Sequence, residues 1–183
     1  SEMSKFSLGG RGEYSTEVAD IGLTLHRDED DQLHTAGQFP ILLNNANTRV
    51  GIDARYDGFI GLWNETAIIV EDKSDIHVCA TIGLDYTLPY LQGIHFLFEH
   101  LNYNRISTSI DNQNIALSSF MVGFPIGIFN NIMFITTMNW DDAKLNHYMK
   151  WSHTLDDFGI NFMASTGPTD MNNILQIMLT FNH

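Results

Sequence analysis

Along the last segment of the chain, Leu175, Ile177, Leu179 and Phe181 share one parity. Gln176, Thr180 and Asn182 share the other, with Met178 among them. Successive side chains of a strand point to opposite faces, so this spacing predicts a two-faced strand. The same alternation recurs upstream. From Lys5 to Ser15, Phe6, Leu8, Gly10, Gly12 and Tyr14 oppose Lys5, Ser7, Arg11, Glu13 and Ser15. From Glu17 to Arg27, Ala19, Ile21, Leu23 and Leu25 oppose Val18, Asp20, Gly22, Thr24 and His26. From Arg49 to Asp57, Val50, Ile52, Ala54 and Tyr56 oppose Arg49, Asp53, Arg55 and Asp57. From His77 to Leu88, Val78, Ala80, Ile82, Leu84, Tyr86 and Leu88 oppose Cys79, Thr81, Gly83, Asp85 and Thr87.

Further strands are predicted over Ile60–Glu71, whose faces do not separate, and over Ile94–Tyr103, Ala116–Ile126, Ile132–Trp140, Asn146–Thr154, Gly159–Ser165 and Ile174–Asn182. Turn signals divide them, among them Asp57-Gly58, Glu71 to Asp75, Gly127 to Asn131 and Leu155 to Phe158. Two connections are long and polar. Asp28 to about Asn47 holds the acidic run Asp28-Glu29-Asp30-Asp31 and the short apolar piece Phe39 to Leu43; Asn104 to Asn114 is the other. The series amounts to roughly eleven strands of about ten residues, longer than the usual five or six and matching a tilted strand across a bilayer.

Composition sharpens this. Hydrophobic residues are 44% and aromatics 11%, but charged residues only 17%, below the roughly 25% of soluble domains. Mean hydropathy is −0.09. The longest apolar run, Phe120 to Phe129, falls short of the roughly 18 residues of a spanning helix, which excludes a helical membrane protein. The net charge of −13 argues against nucleic acid as a partner. The single cysteine, Cys79, permits no internal disulfide. No signal peptide is recognisable, so an exported protein is expected here in mature or trimmed form.

The closing strand resembles that of outer-membrane β-barrel proteins, which ends in alternating apolar residues and an aromatic. Here the aromatic, Phe181, lies two positions inside His183, in phase. By the same pattern nearly the whole chain is similar to porin-like outer-membrane proteins. The resemblance implies an all-β, antiparallel up-and-down transmembrane β-barrel with roughly 11–12 strands in this chain. It further implies location in the cell outer membrane and contact with outer-membrane lipid.

On that reading the charged parity faces the lumen: Arg11, Glu13, Asp20, Arg49, Asp53, Arg55, Asp85, Glu99 and Lys150. Tyr14, Tyr56, Tyr86, Phe124, Trp151 and Phe181 lie at or near the ends of every second strand and are expected to form a membrane-interface girdle. The turns on that side are short and the long loops fall on the other, as in outer-membrane barrels. Residues 1–183 are expected to form a single barrel domain. An odd strand count would place Ser1 on the outer side, so either Phe39–Leu43 is a missed strand or the chain is the C-terminal portion of a larger barrel completed by a companion chain.

No catalytic motif, phosphate loop or His-Glu-x-x-His is present, and no enzyme, cofactor or metal is expected. Glu99 and His100 are neighbours and point to opposite faces; His147 and His153 share a face but need a third ligand to hold a metal. The acidic run from Asp28 lacks the spacing of a calcium loop. The expected function is porin-like passage of small solutes, or a structural or surface role in the outer membrane. The rival is a soluble β-barrel or sandwich that binds an apolar ligand, because alternation alone does not say which face meets water.

Overall fold

A computed structural model describes residues 6–29, 34–35, 42–43, 45–72, 75–90, 92–107, 111–168 and 173–181. Its elements are all strands: β1 (Ser7–Ser15), β2 (Ala19–Asp28), β3 (His34–Thr35), β4 (Leu42–Leu43), β5 (Asn47–Asp57), β6 (Gly61–Glu71), β7 (Ile76–Leu88), β8 (Ile94–Ile106), β9 (Gln113–Ile126), β10 (Asn130–Asn139), β11 (Lys144–Leu155), β12 (Phe158–Thr166) and β13 (Ile174–Phe181). Eleven of them form one sheet in the order β1-β2-β5-β6-β7-β8-β9-β10-β11-β12-β13. Every registered ladder is antiparallel. The order begins at β1 and ends at β13, and the sheet is not closed into a barrel. No helix among the described residues is long and apolar enough to cross a membrane, which leaves crossing by strands untouched.

The strand count and most boundaries follow the alternation, with two corrections. The apolar piece proposed as a missed strand does not join the sheet. Its described part, Leu42–Leu43, pairs only with His34–Thr35 in a separate two-stranded ladder; Phe39 to Ile41 lie outside the described residues. The polar segment from Asn104 to Asn114 is shorter as a loop than its composition predicts, because β8 runs on to Ile106 and β9 already starts at Gln113. At that end of β8, Tyr103 and Arg105 reach the buried His77 and Asp75.

Turn chemistry fixes the hairpins. Thr16 closes the β1–β2 turn twice over: its amide donates to the Ala19 carbonyl at 2.8 Å and its Oγ1 accepts from the Ala19 amide at 2.9 Å. Gly127, at φ +62°, opens the β9–β10 turn. At the β11–β12 turn Asp156 takes φ +42°, a conformation that a short polar side chain tolerates.

The chain divides into two compact units: Ser1–Gly58, Leu62–Ile82 and Leu101–Ile115 in one, and Phe59–Gly61, Gly83–His100 and Ala116–His183 in the other. In the first, the β1–β2–β5 register sets Leu8, Gly10, Gly12 and Tyr14 against Arg27, Leu25, Leu23 and Ile21, and these against Thr48, Val50, Ile52 and Ala54. Ile21, Leu23 and Leu25 are exposed at 54%, 47% and 52%, while Gly22 on the other face is buried. In the second, β10 to β13 align Ile132, Phe134 and Met138 with Trp151, Met149 and Leu145, then Phe162 and Ala164, then Ile177 and Leu175. Ile177 and Leu179 are exposed at 60% and 63%.

The apolar face is therefore the exposed one. Buried hydrophobics are confined to Leu43, Ile69 and Tyr103 among the described residues, with Cys79 and Ile115 packed against them. Burying one Leu or Ile side chain is worth roughly 1.5–3 kcal/mol. Leaving Ile21, Leu23, Leu25, Ile52, Leu175, Ile177 and Leu179 about half-exposed in water would forgo on the order of 10 kcal/mol, as much as the whole stability of a typical domain.

Candidate functional site

The polar face of the first unit collects the charges. In register, Glu13 lies opposite Gly22 and Gly22 opposite Asp53; Arg11 lies opposite Thr24; Asp20 lies opposite Arg55; and His26 lies opposite Arg49. Arg11, Glu13, Asp20, Arg49, Asp53 and Arg55 thus occupy one face. Arg11 forks onto Asp53, Nη1 donating to Oδ1 at 2.6 Å and Nη2 to Oδ2 at 2.8 Å, and its Nε reaches Glu13 Oε2 at 3.5 Å. The pair crosses directly over Gly22, where an added Cβ would lie 2.5 Å from both Arg11 Nη2 and Asp53 Oδ2. A strand glycine here admits the close approach of two charged side chains.

The remaining charges go elsewhere. Arg49 donates to Asn47 Oδ1 at 2.7 Å and to Asp28 Oδ2 at 3.5 Å. Arg55 donates to Asp57 at 2.9 Å and stays exposed. Asp85, half-buried, lies against Gly61 in the second unit, where a Cβ would come within 2.6 Å of Asp85 Oδ2. Glu99 is half-buried on β8. Lys150 is flanked in register by Met133 and Met163.

Tyr14, Tyr56 and Phe181 are exposed. Phe181 faces Phe158 at 6.3 Å between ring centroids, Tyr86 meets Phe59 at 5.2 Å, and Trp151 stacks on Phe162 at 5.1 Å while its Nε1 donates to Asn130 Oδ1. Phe124 lies opposite Ile132. The register places His147 and His153 on one face, bonded to Thr136 at 3.0 Å and to Asn130 at 2.9 Å respectively. Of the acidic run, Asp28 meets Arg49; Asp30 and Asp31 lie outside the described residues.

The most enclosed polar group was not legible as a site. Glu71 ends β6, Asp75 follows in the turn and His77 enters β7; all three are more than nine-tenths buried, at 6%, 7% and 2% exposure. His77 Nε2 lies 2.8 Å from Glu71 Oε1, and His77 Nδ1 lies 2.9 Å from the Tyr103 hydroxyl. Asn45 donates to Glu71 Oε2 at 3.1 Å. Arg105 donates to Asp75 Oδ2 at 2.6 and 2.9 Å, and Ser107 to Asp75 Oδ1 at 2.6 Å. The Glu71 amide closes the turn onto the Asp75 carbonyl at 2.9 Å. Composition marks Glu71 to Asp75 only as a turn. The one available signal is a histidine that follows an acidic turn on the polar parity of its strand.

No protein-family model matches the chain, and no curated protein or solved structure matches it.

Proposed function

We propose that this chain is an outer-membrane β-barrel protein that passes small solutes through a polar lumen. The inversion of its faces carries the reading: long strands expose Ile and Leu on one side and group charges on the other. Lipid repays the exposed stripe that water would penalise, and ladder hydrogen bonds satisfy the strand backbone. The grouped charges, Arg11 to Arg55 with Asp85, Glu99 and Lys150, then line the lumen. Tyr14, Tyr56, Tyr86, Phe124, Trp151 and Phe181 sit at one membrane interface, in contact with outer-membrane lipid. A bare strand edge does not survive in lipid, so β1 and β13 each require a partner strand, from this chain or a companion chain. Nothing in this reading calls for nucleic acid, a cofactor or an enzymatic reaction.

A structural or surface role is the second reading. It is favoured by the fully buried Leu43 packed with Ile69 and Tyr103, whose hydroxyl meets His77 of the Glu71–His77 network.

Reconstitution into planar bilayers tests both. Discrete conductance steps whose ion selectivity shifts when Arg49 and Arg55 are neutralised are the expected outcome, because fixed lumen charge sets the local counter-ion concentration. A heat-modifiable, detergent-requiring protein with no conductance would leave the structural role. A chain that stays monomeric in buffer without detergent would overturn the membrane reading and restore the soluble, apolar-ligand rival.

A further inference from the structure

We infer that Glu71, Asp75 and His77 form a site for one divalent transition-metal ion of the zinc type. The inference goes beyond the barrel reading and does not rest on it. One donor atom from each of the three residues lies within 4.8 Å of the other two. One imidazole and two carboxylates are the nitrogen and oxygen donors that zinc accepts, at roughly 2.0–2.2 Å. Tetrahedral donors at that range stand about 3.3 Å apart. The 2.8 Å contact between His77 Nε2 and Glu71 Oε1 needs to open by only about half an ångström to admit the ion.

The surroundings hold each donor in place. A metal on His77 Nε2 requires the tautomer with hydrogen on Nδ1, and the Tyr103 hydroxyl oxygen at 2.9 Å is placed to accept that hydrogen. The second oxygen of Glu71 is held by the Asn45 amide at 3.1 Å, leaving Oε1 turned toward the imidazole. Asp75 is gripped by Arg105 on Oδ2 and by Ser107 on Oδ1, which fixes the direction of its carboxylate. Metal-binding histidines and carboxylates are oriented by such outer partners. Burial is the remaining argument: exposed acidic groups cluster for many reasons, but here all three residues are more than nine-tenths buried. The ion would tie the β6–β7 turn through these outer partners to β8 and to the segment entering β5.

The test uses the full chain, refolded in detergent and stripped with a chelator, with Co²⁺ as the spectroscopic probe and Zn²⁺ as competitor. One Co²⁺ per chain is expected, with visible ligand-field bands that one equivalent of Zn²⁺ abolishes. His77→Gln should remove the bands. Tyr103→Phe should keep the stoichiometry and weaken binding roughly 10–100-fold, the usual cost of losing an outer-shell partner. His147→Asn/His153→Asn should leave binding unchanged. Absence of Co²⁺ binding by the folded wild type, or equal affinity in wild type and His77→Gln, would overturn the inference. Should His77→Gln fail to fold, Tyr103→Phe and Asn45→Ala decide: affinity unchanged in both overturns it, and weaker binding in either supports it.

Discussion

The polar faces of the two units are built from different materials. In the first, β1, β2 and β5 carry Arg11, Glu13, Asp20, Arg49, Asp53 and Arg55 in adjacent register, with glycines and Thr24 between them. In the second, the corresponding face of β9 to β13 carries Met121, Met133, Met163, Met178, Ile135 and Tyr148, with Lys150 and, at the turn end of β11, Lys144 as its charges among the described positions. The exposed face is apolar in both. The difference teaches that the strand period constrains the exposed apolar face much more than the face opposite it. The opposite face is free either to pair charges over glycine or to fill with flexible thioethers.

The largest effects should come from the shared exposed face. On the membrane reading, Leu23→Arg, Ile82→Arg and Ile177→Arg should each cost roughly 2–4 kcal/mol near mid-membrane. Thr24→Arg and Gln176→Arg, one residue away on the other face, should cost much less. Denaturant unfolding in lipid vesicles measures the contrast, and equal costs on both faces would abolish the premise of the comparison.

A glycine pair separates the units next. Gly22→Ala places a methyl 2.5 Å from Arg11 Nη2 and from Asp53 Oδ2; these are the ends of two flexible, partly exposed side chains, so the fork should shift and stability should fall by no more than the fork is worth. Gly123→Ala, opposite Met133 with nothing within 4 Å of the added carbon, should be near neutral. Comparable losses at both would mean that the second face is as tightly filled as the first.

Charge removal should also have small consequences. Arg11→Met loses a fork to Asp53, but both side chains remain about a third to a half exposed, so only a small loss of stability is expected. Lys150→Met, set between Met133 and Met163, should be neutral or slightly stabilising. Thermal unfolding of the two variants side by side checks the order.

The smallest effect concerns the described ion pair of the second unit, which lies at a turn. Lys144 Nζ is 2.5 Å from Asp142 Oδ2, and its hydrogen bond and charge hold the Asp142 carboxyl below the usual carboxylate range. Any stability it lends is present above the ordinary carboxylate pKa and lost as pH falls through the lowered value. Carboxyl NMR titration should show Asp142 returning to the ordinary range in Lys144→Met.

Periodicity alone determined the strand series, its antiparallel sense and the two-faced character of β1, β2, β5, β7 and β13. A side-chain period of two is local, and each strand announces its own faces. Which face meets solvent is not local. Alternation reads the same in a soluble sheet and an inverted one, and only assembled neighbours give Ile21 or Ile177 its exposure. The Arg11–Asp53 fork was legible as two charges of one parity, but their meeting over Gly22 depends on the register of three strands. The Glu71–Asp75–His77 group depends on still more: a turn, the end of β8 and the segment before β5 converge there. The three donors are neighbours around one turn, but their partners Asn45, Tyr103 and Arg105 are distant along the chain and leave no periodic trace, so tertiary structure alone decided their burial.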